Sequence, residues 1–179
     1  ALLMMLLGMF PTARTVLEVG CGSGHFTRWF GELGYQAAGI DVSGPMLAEA
    51  KQIGTPFCLQ ADALRLPFWS NTFDLVALIT TLEFLSDPLH SLAESIRVAR
   101  QGLILGVLNA HSCLGREYKR QGGPVWETAR FYTLGELKTL IRQAAGTRVI
   151  ISWRSTLWPI YPGMARLQWG GFLGLAVRL

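Results

Sequence analysis

Short apolar runs alternate with one-sided helical patterns along the chain, and this rhythm predicts most of its elements. Leu2 to Phe10 reads as a helix stopped near Pro11. Thr15 to Val19 (TVLEV) is an apolar run ending in glycines, which predicts a buried strand. His25 to Leu33 puts Phe26, Trp29, Phe30 and Leu33 on one side of a helix that Gly34 ends. Ala37 to Val42 (AAGIDV) predicts a second strand, Met46 to Ile53 the next helix, and Pro56 to Gln60 a third strand. A loop follows at Asp62 to Asn71. Phe73 to Thr80 (FDLVALIT) predicts a fourth strand, Pro88 to Val98 a helix capped by Asp87, and Gly102 to Leu108 (GLILGVL) a fifth strand. Asn109 to Ala129 lacks clean periodicity and reads as an ordered loop or lid. Thr133 and Glu136 make the T-x-x-E pattern of a capping box, opening a helix that runs to about Ala145. Arg148 to Trp153 and Phe172 to Arg178 read as the last two strands.

Repeated alternation of strand and helix predicts a doubly wound α/β fold with a mostly parallel sheet. No repeat or linker divides the chain, so residues 1–179 are expected to form one domain. In it, 109–129 would be a substrate lid and the Pro- and aromatic-rich stretch 154–171 an insertion before the last strand.

Composition narrows the function. Half of the 179 residues are hydrophobic and 16% are charged, with a mean hydropathy of +0.32. That is apolar for a soluble domain and implies a large core and an exposed apolar pocket or partner surface, through which a homo-oligomer could form. The net charge of +4 is scattered, apart from Arg116, Lys119 and Arg120. No basic stripe interleaves with aromatics, so a nucleic-acid partner is not expected. Cys21, Cys58 and Cys113 form no C-x-x-C pair, which argues against a disulfide framework or a metal site. Three unpaired thiols suit a reducing compartment, the cytoplasm. The apolar start, Ala1 to Phe10, has no basic leader and is too short to span a bilayer, so no transmembrane segment is expected.

The chemistry concentrates at Glu18-Val19-Gly20-Cys21-Gly22-Ser23-Gly24, between a predicted strand and a predicted helix. Glycines there let backbone approach a ligand and turn sharply into the helix. The dinucleotide fingerprint needs a G-x-G-x-x-G register, but the sixth position from Gly20 is His25. No G-K-[ST] follows, so the phosphate-cradling loop is excluded as well. About twenty residues past the first glycine, Asp41 ends the second strand. A carboxylate there can accept hydrogen bonds from both hydroxyls of a ribose, or cap the next helix.

With these residues the chain resembles the class I S-adenosylmethionine-dependent methyltransferases, whose first motif reads E/D-x-G-x-G-x-G. Here that motif is complete as Glu18, Gly20, Gly22 and Gly24. The resemblance covers Leu2 to Leu108 and returns at Arg130 to Ala145. It points to the small-molecule (methyltransferase type 11-like) branch. It implies a Rossmann-like, seven-stranded, mostly parallel sheet with an antiparallel last strand. It implies S-adenosyl-L-methionine as cofactor, with S-adenosyl-L-homocysteine as product. The loop, Cys21 included, would hold the methionine part, with Glu18 near its ammonium. Asp41 would hold the ribose, Val42 and Met46 would sandwich the adenine, and Asp62 with the Ala63 backbone would meet its edge. Thr80, Thr81 and Leu82 would lie beside the sulfonium and the substrate mouth. Family members often carry histidines where this chain has Glu83 and Phe84.

The implied reaction is methyl transfer to an O, N or C nucleophile of a small-molecule acceptor by in-line displacement. Such chemistry needs alignment and exclusion of water more than a catalytic residue. His111, just after the fifth strand, is the candidate base, although a lone histidine is more often structural. His25 is expected to be structural or a cofactor neighbour, and His90 to face solvent. Tyr118, Trp126, Phe131 and Tyr132 could line an aromatic substrate pocket or pack a core. Two other readings stay open: a non-catalytic S-adenosylmethionine- or partner-binding protein, and an NAD-dependent oxidoreductase, which the glycine register disfavours. No N-P-P-Y-like tetrapeptide follows the fourth strand, which speaks against a protein or RNA methyltransferase.

Overall fold

A computed structural model of the chain describes residues 1–55, 57–123, 126–156, 164–165 and 170–179. Eight strands make one sheet: β1 (Thr15–Val19), β2 (Gln36–Asp41), β3 (Cys58–Gln60), β4 (Phe73–Ile79), β5 (Ala99–Leu108), β6 (Ile150–Thr156), β7 (Met164–Ala165) and β8 (Phe172–Arg178). Their order is β3-β2-β1-β4-β5-β8-β6-β7. The first five strands pair in parallel. β8 runs antiparallel between β5 and β6. This is the expected sheet of seven strands with an antiparallel last strand, extended at one edge by the two-residue β7.

Strand residues alternate between two apolar layers, as period-2 geometry requires. Leu17, Val19, Val76, Leu78, Leu103 and Leu105 face one side, where Leu92 and Val98 of α4 (Pro88–Val98) and Leu137 and Ile141 of α6 (Leu134–Ala145) cover them. Val16, Leu75, Ala77 and Ile104 face the other side. There Leu2, Leu6 and Leu7 of α1 (Leu2–Leu7) and Phe30 of α2 (His25–Glu32) cover them. Strands buried on both faces read as continuous apolar runs, which is why FDLVALI and GLILGVL show no polar alternation.

Several local expectations shift. α1 ends at Leu7 rather than Phe10, and α3 (Gly44–Gln52) starts two residues early behind its Ser43 cap. β5 begins at Ala99, and β6 continues to Thr156, into the stretch expected to be an insertion. The stretch 109–129 is not all loop, because α5 (Cys113–Gln121) occupies it behind Ser112, whose hydroxyl accepts the Gly115 N–H at 2.8 Å. Pro56, the expected start of β3, and positions 124–125, 157–163 and 166–169 lie outside the described residues.

Candidate functional site

The strand order reverses at β1, which has β2 on one side and β4 on the other. In open α/β sheets the carboxyl ends at such a switch point leave a crevice for a ligand. A cavity of about 620 Å³ opens there. It is lined by Glu18, Gly20, Cys21, Gly22, Asp41, Val42, Met46, Asp62, Ala63 and Thr80, all expected from sequence.

The glycine loop is shaped by backbone that only glycine adopts freely. Gly20, Gly22 and Gly24 all have positive φ. A Cβ at Gly20 would stand 2.3 Å from the Thr81 methyl group, and one at Gly24 2.6 Å from that of Thr55. Gly24 does not line the cavity; it turns the chain into α2. The N–H groups of Gly20 and Cys21 both donate to the Ile40 carbonyl, drawing the loop onto β2. The Gly22 N–H donates to Asp41 Oδ2 at 2.7 Å, and the Ser43 N–H to Asp41 Oδ1 at 2.8 Å. One carboxylate therefore fastens the loop, the tip of β2 and the start of α3. Each oxygen keeps a further acceptor position toward the cavity.

Glu18 is 1% exposed, and its Oε2 accepts a hydrogen bond from the Thr27 hydroxyl. Burial pushes its carboxyl up to about 8, although the Thr27 bonds pull the other way. Burial likewise pushes the Cys21 thiol up. Asp62 Oδ1 accepts the Leu64 N–H at 2.8 Å, shaping the loop after β3. Val42 is 71% exposed and Met46 is at the cavity edge, so both offer apolar surface to a ligand rather than to the core. Thr80 holds φ of +51° at the end of β4, uncommon for a β-branched residue. Its N–H donates to Gly106 and its hydroxyl to the Ile79 carbonyl, each at 2.7 Å.

The structure does not bring His111 to the cavity. It is exposed and not among the lining residues, and its backbone N–H donates to Asn109 Oδ1 in the turn after β5. His25, expected to be structural or a cofactor neighbour, does line it, as do Phe26, Phe84, Leu85 and Ser86, to which sequence reasoning gave no place in the site. The signal for His25 was its place directly after the last glycine, where a helix start faces the loop's ligand. Thr81, placed at the substrate mouth from sequence, lines the cavity; Leu82 is buried instead.

Behind the turn at Leu82–Phe84 lies a polar knot. Glu83 Oε1 accepts the Leu108 N–H at 2.7 Å, and the Glu83 carbonyl accepts the Arg130 N–H at 2.8 Å. The buried Tyr132 hydroxyl donates to the Leu82 carbonyl at 3.1 Å. Burial pushes the Glu83 carboxyl up to about 7, and its Oε2 has no partner among the described residues. Of the four aromatics expected at a substrate pocket, Phe131 and Tyr132 are buried. Trp126 and Tyr118 are half-buried and stack on each other, beside Phe84. Among the described residues no helix is long and apolar enough to cross a membrane.

Known proteins resemble this chain. Residues 17–106 match the methyltransferase domain family. An uncharacterised protein of Mycobacterium bovis is 34% identical over 161 residues, which are 86% of this chain and 53% of that protein. A malonyl-[acyl-carrier protein] O-methyltransferase of Erwinia billingiae is 33% identical over 100 residues, 54% of this chain and 40% of that enzyme. The chain thus spans about half the length of these relatives. Among solved structures, an S-adenosylmethionine-dependent methyltransferase of Thermotoga maritima, described as a possible histamine N-methyltransferase, superposes with a TM-score of 0.80. It is 27% identical, and the match covers 98% of this chain and 86% of that one. The chain belongs to the methyltransferase domain family, whose cofactor is S-adenosylmethionine.

Proposed function

We propose that this chain binds S-adenosylmethionine at the tips of β1 and β2 and passes its methyl group to a small-molecule acceptor held against the turn after β4. The observation that carries the reading is the 2.7 Å bond from the Gly22 N–H to Asp41 Oδ2, which ties the glycine loop to the acid at the neighbouring strand tip. The residues fit the cofactor. The loop keeps open the space that side chains would fill, and Asp41 retains acceptor positions for two ribose hydroxyls. Exposed Val42 and Met46 offer faces for a flat base. Glu18, Cys21 and the loop glycines would hold the methionine part, Asp62 and Ala63 the adenine, and Thr80 the region of the sulfonium.

The bound cofactor supplies a methyl group already activated on sulfonium. The chain's task is then to hold the acceptor atom in line and keep water away, an arrangement that can lower a barrier by roughly 7–11 kcal/mol. We assign the covering role to 109–129, with α5 as its body, within a single unit of residues 1–179. Where an acceptor carries a proton at neutral pH, His25 stands at the cavity to take it. Its side chain has no hydrogen-bond partner among the described residues, whereas Glu18, Asp41 and Asp62 are already engaged.

Isothermal calorimetry with S-adenosylmethionine tests the reading. Asp41→Ala is expected to weaken binding tenfold or more, about 1.4 kcal/mol. Unchanged affinity in a variant with wild-type circular dichroism would overturn the ribose assignment. Label transfer from methyl-tritiated cofactor to a panel of phenols, quinones and amines separates an enzyme from a binder.

A further inference from the structure

The cavity has an aromatic side, at the turn after β4, that none of the proposed cofactor contacts uses. Phe84, 45% exposed, presents its ring to the cavity from the turn after β4. Trp126 lies behind it, with centroids 6.3 Å apart and planes inclined by 44°. Trp126 in turn stacks on Tyr118 of α5 at 4.4 Å and 11°, and Phe131 lies 6.2 Å from it on another side. Rings from the turn after β4, from α5 and from the segment before α6 converge on Trp126, so the ring that backs Phe84 is held by tertiary packing as well as by local rotamer preference. Phe26, also partly exposed, lines the same cavity from α2.

Such a wall could receive an aliphatic chain, a cation or a flat π-system, and its surroundings choose among them. Rings hold a cation best in a desolvated site, and there a carboxylate free to balance the charge adds to the attraction. Here Glu117 is bonded to Arg120 and Gln121, Glu127 accepts the Gly123 N–H, and Glu83 is buried behind the turn, with one oxygen on the Leu108 N–H and burial favouring its neutral form. Arg116 and Arg120 of α5 and Arg130 before α6 are cationic. An aliphatic chain would draw only on buried area and would need no fixed ring angle. Offset or edge contacts to a flat ring depend on that angle, because ring faces and edges carry opposite partial charge.

We propose that the methyl acceptor is a flat, uncharged or anionic aromatic ring system that packs on Phe84, with Trp126 and Tyr118 holding that ring in place. This rests on the S-adenosylmethionine reading above. The test is calorimetry on the protein loaded with S-adenosylhomocysteine, using 2-naphthol, its saturated counterpart decahydro-2-naphthol, and histamine as probes. The expected result is that 2-naphthol binds at least tenfold tighter than either other probe. Trp126→Leu is expected to remove at least fivefold of that margin while leaving S-adenosylhomocysteine affinity unchanged. If Trp126→Leu does not bind S-adenosylhomocysteine, Tyr118→Leu carries the same comparison. Equal binding of 2-naphthol and decahydro-2-naphthol, tighter binding of histamine, or a margin that survives substitution behind Phe84 would overturn the proposal and leave the cofactor reading intact. Failure of wild-type protein to bind S-adenosylhomocysteine would overturn both.

Discussion

Glu18 has lost nearly all its water and has the Thr27 hydroxyl in exchange, so in the free protein its carboxyl is held up at about 8. An ammonium arriving beside it favours the carboxylate. Binding must then expel a proton at neutral pH, and affinity for S-adenosylmethionine should rise as pH is raised from 6 toward 8. Calorimetry in two buffers of different ionisation heat reads the proton released. Glu18→Gln is expected to abolish the release, and its persistence in that variant would remove Glu18 from the ammonium. The residues that build the crevice were largely readable from sequence, because a glycine with an imposed φ and an acid at a strand end each have few other uses there. What could not be read is how side chains pair across the fold. Thr27 reaches Glu18 from one turn into α2, and the post-β5 turn at Asn109 carries His111 away from the cavity while His25 stays on it.

Elements that bury a face announce themselves, and those that do not stay hidden. α6 buries Leu134, Leu137 and Ile141, and it opens with the capping box its sequence spelled out. Thr133 Oγ1 accepts the Glu136 N–H at 3.2 Å, and Glu136 Oε2 accepts the Thr133 N–H at 2.8 Å. Thr133→Ala should lower the unfolding free energy by about 1 kcal/mol, the usual cost of losing such a cap. The urea midpoint would fall with an unchanged slope; an unchanged midpoint would mean that packing alone holds this helix. α5 gave no apolar period because much of its surface is exposed. Its observed supports are the Ser112 cap, the Glu117–Arg120 pair at 2.9 Å and the stack of Tyr118 on Trp126, and none of them leaves a repeating hydrophobic pattern. β7, two residues long, is likewise too short for any pattern.

At the scale of the molecule, Glu83 joins three parts: the turn after β4, the end of β5 at Leu108 and the segment entering α6 at Arg130. Its carboxyl is raised from 4.5 to about 7 by burial, so the folded protein keeps a proton that the unfolded chain has released. Its contribution to stability is therefore full below about pH 4.5 and fades as pH rises through 7. Thermal midpoints should fall between pH 5 and pH 8 in the wild type and fall less in Glu83→Gln. Parallel curves would place the pH dependence elsewhere, Glu18 being the other group raised in the same sense. Asp74 acts in the opposite direction: burial pushes it up, but the N–H groups of Arg14 and Thr15 and the Arg100 guanidinium outweigh this and hold it low, so it is felt only in acid. The sheet itself sets one further condition. β8 sits between β5 and β6, and α1 rests on it, so two elements about 170 residues apart in sequence meet in one layer. Until β8 is in place, β5 and β6 offer bare edges and α1 lacks part of its seat. Any state in which β8 has come away therefore needs shelter from edge-to-edge association, even though the crevice on β1, β2 and β4 still has all of its strands.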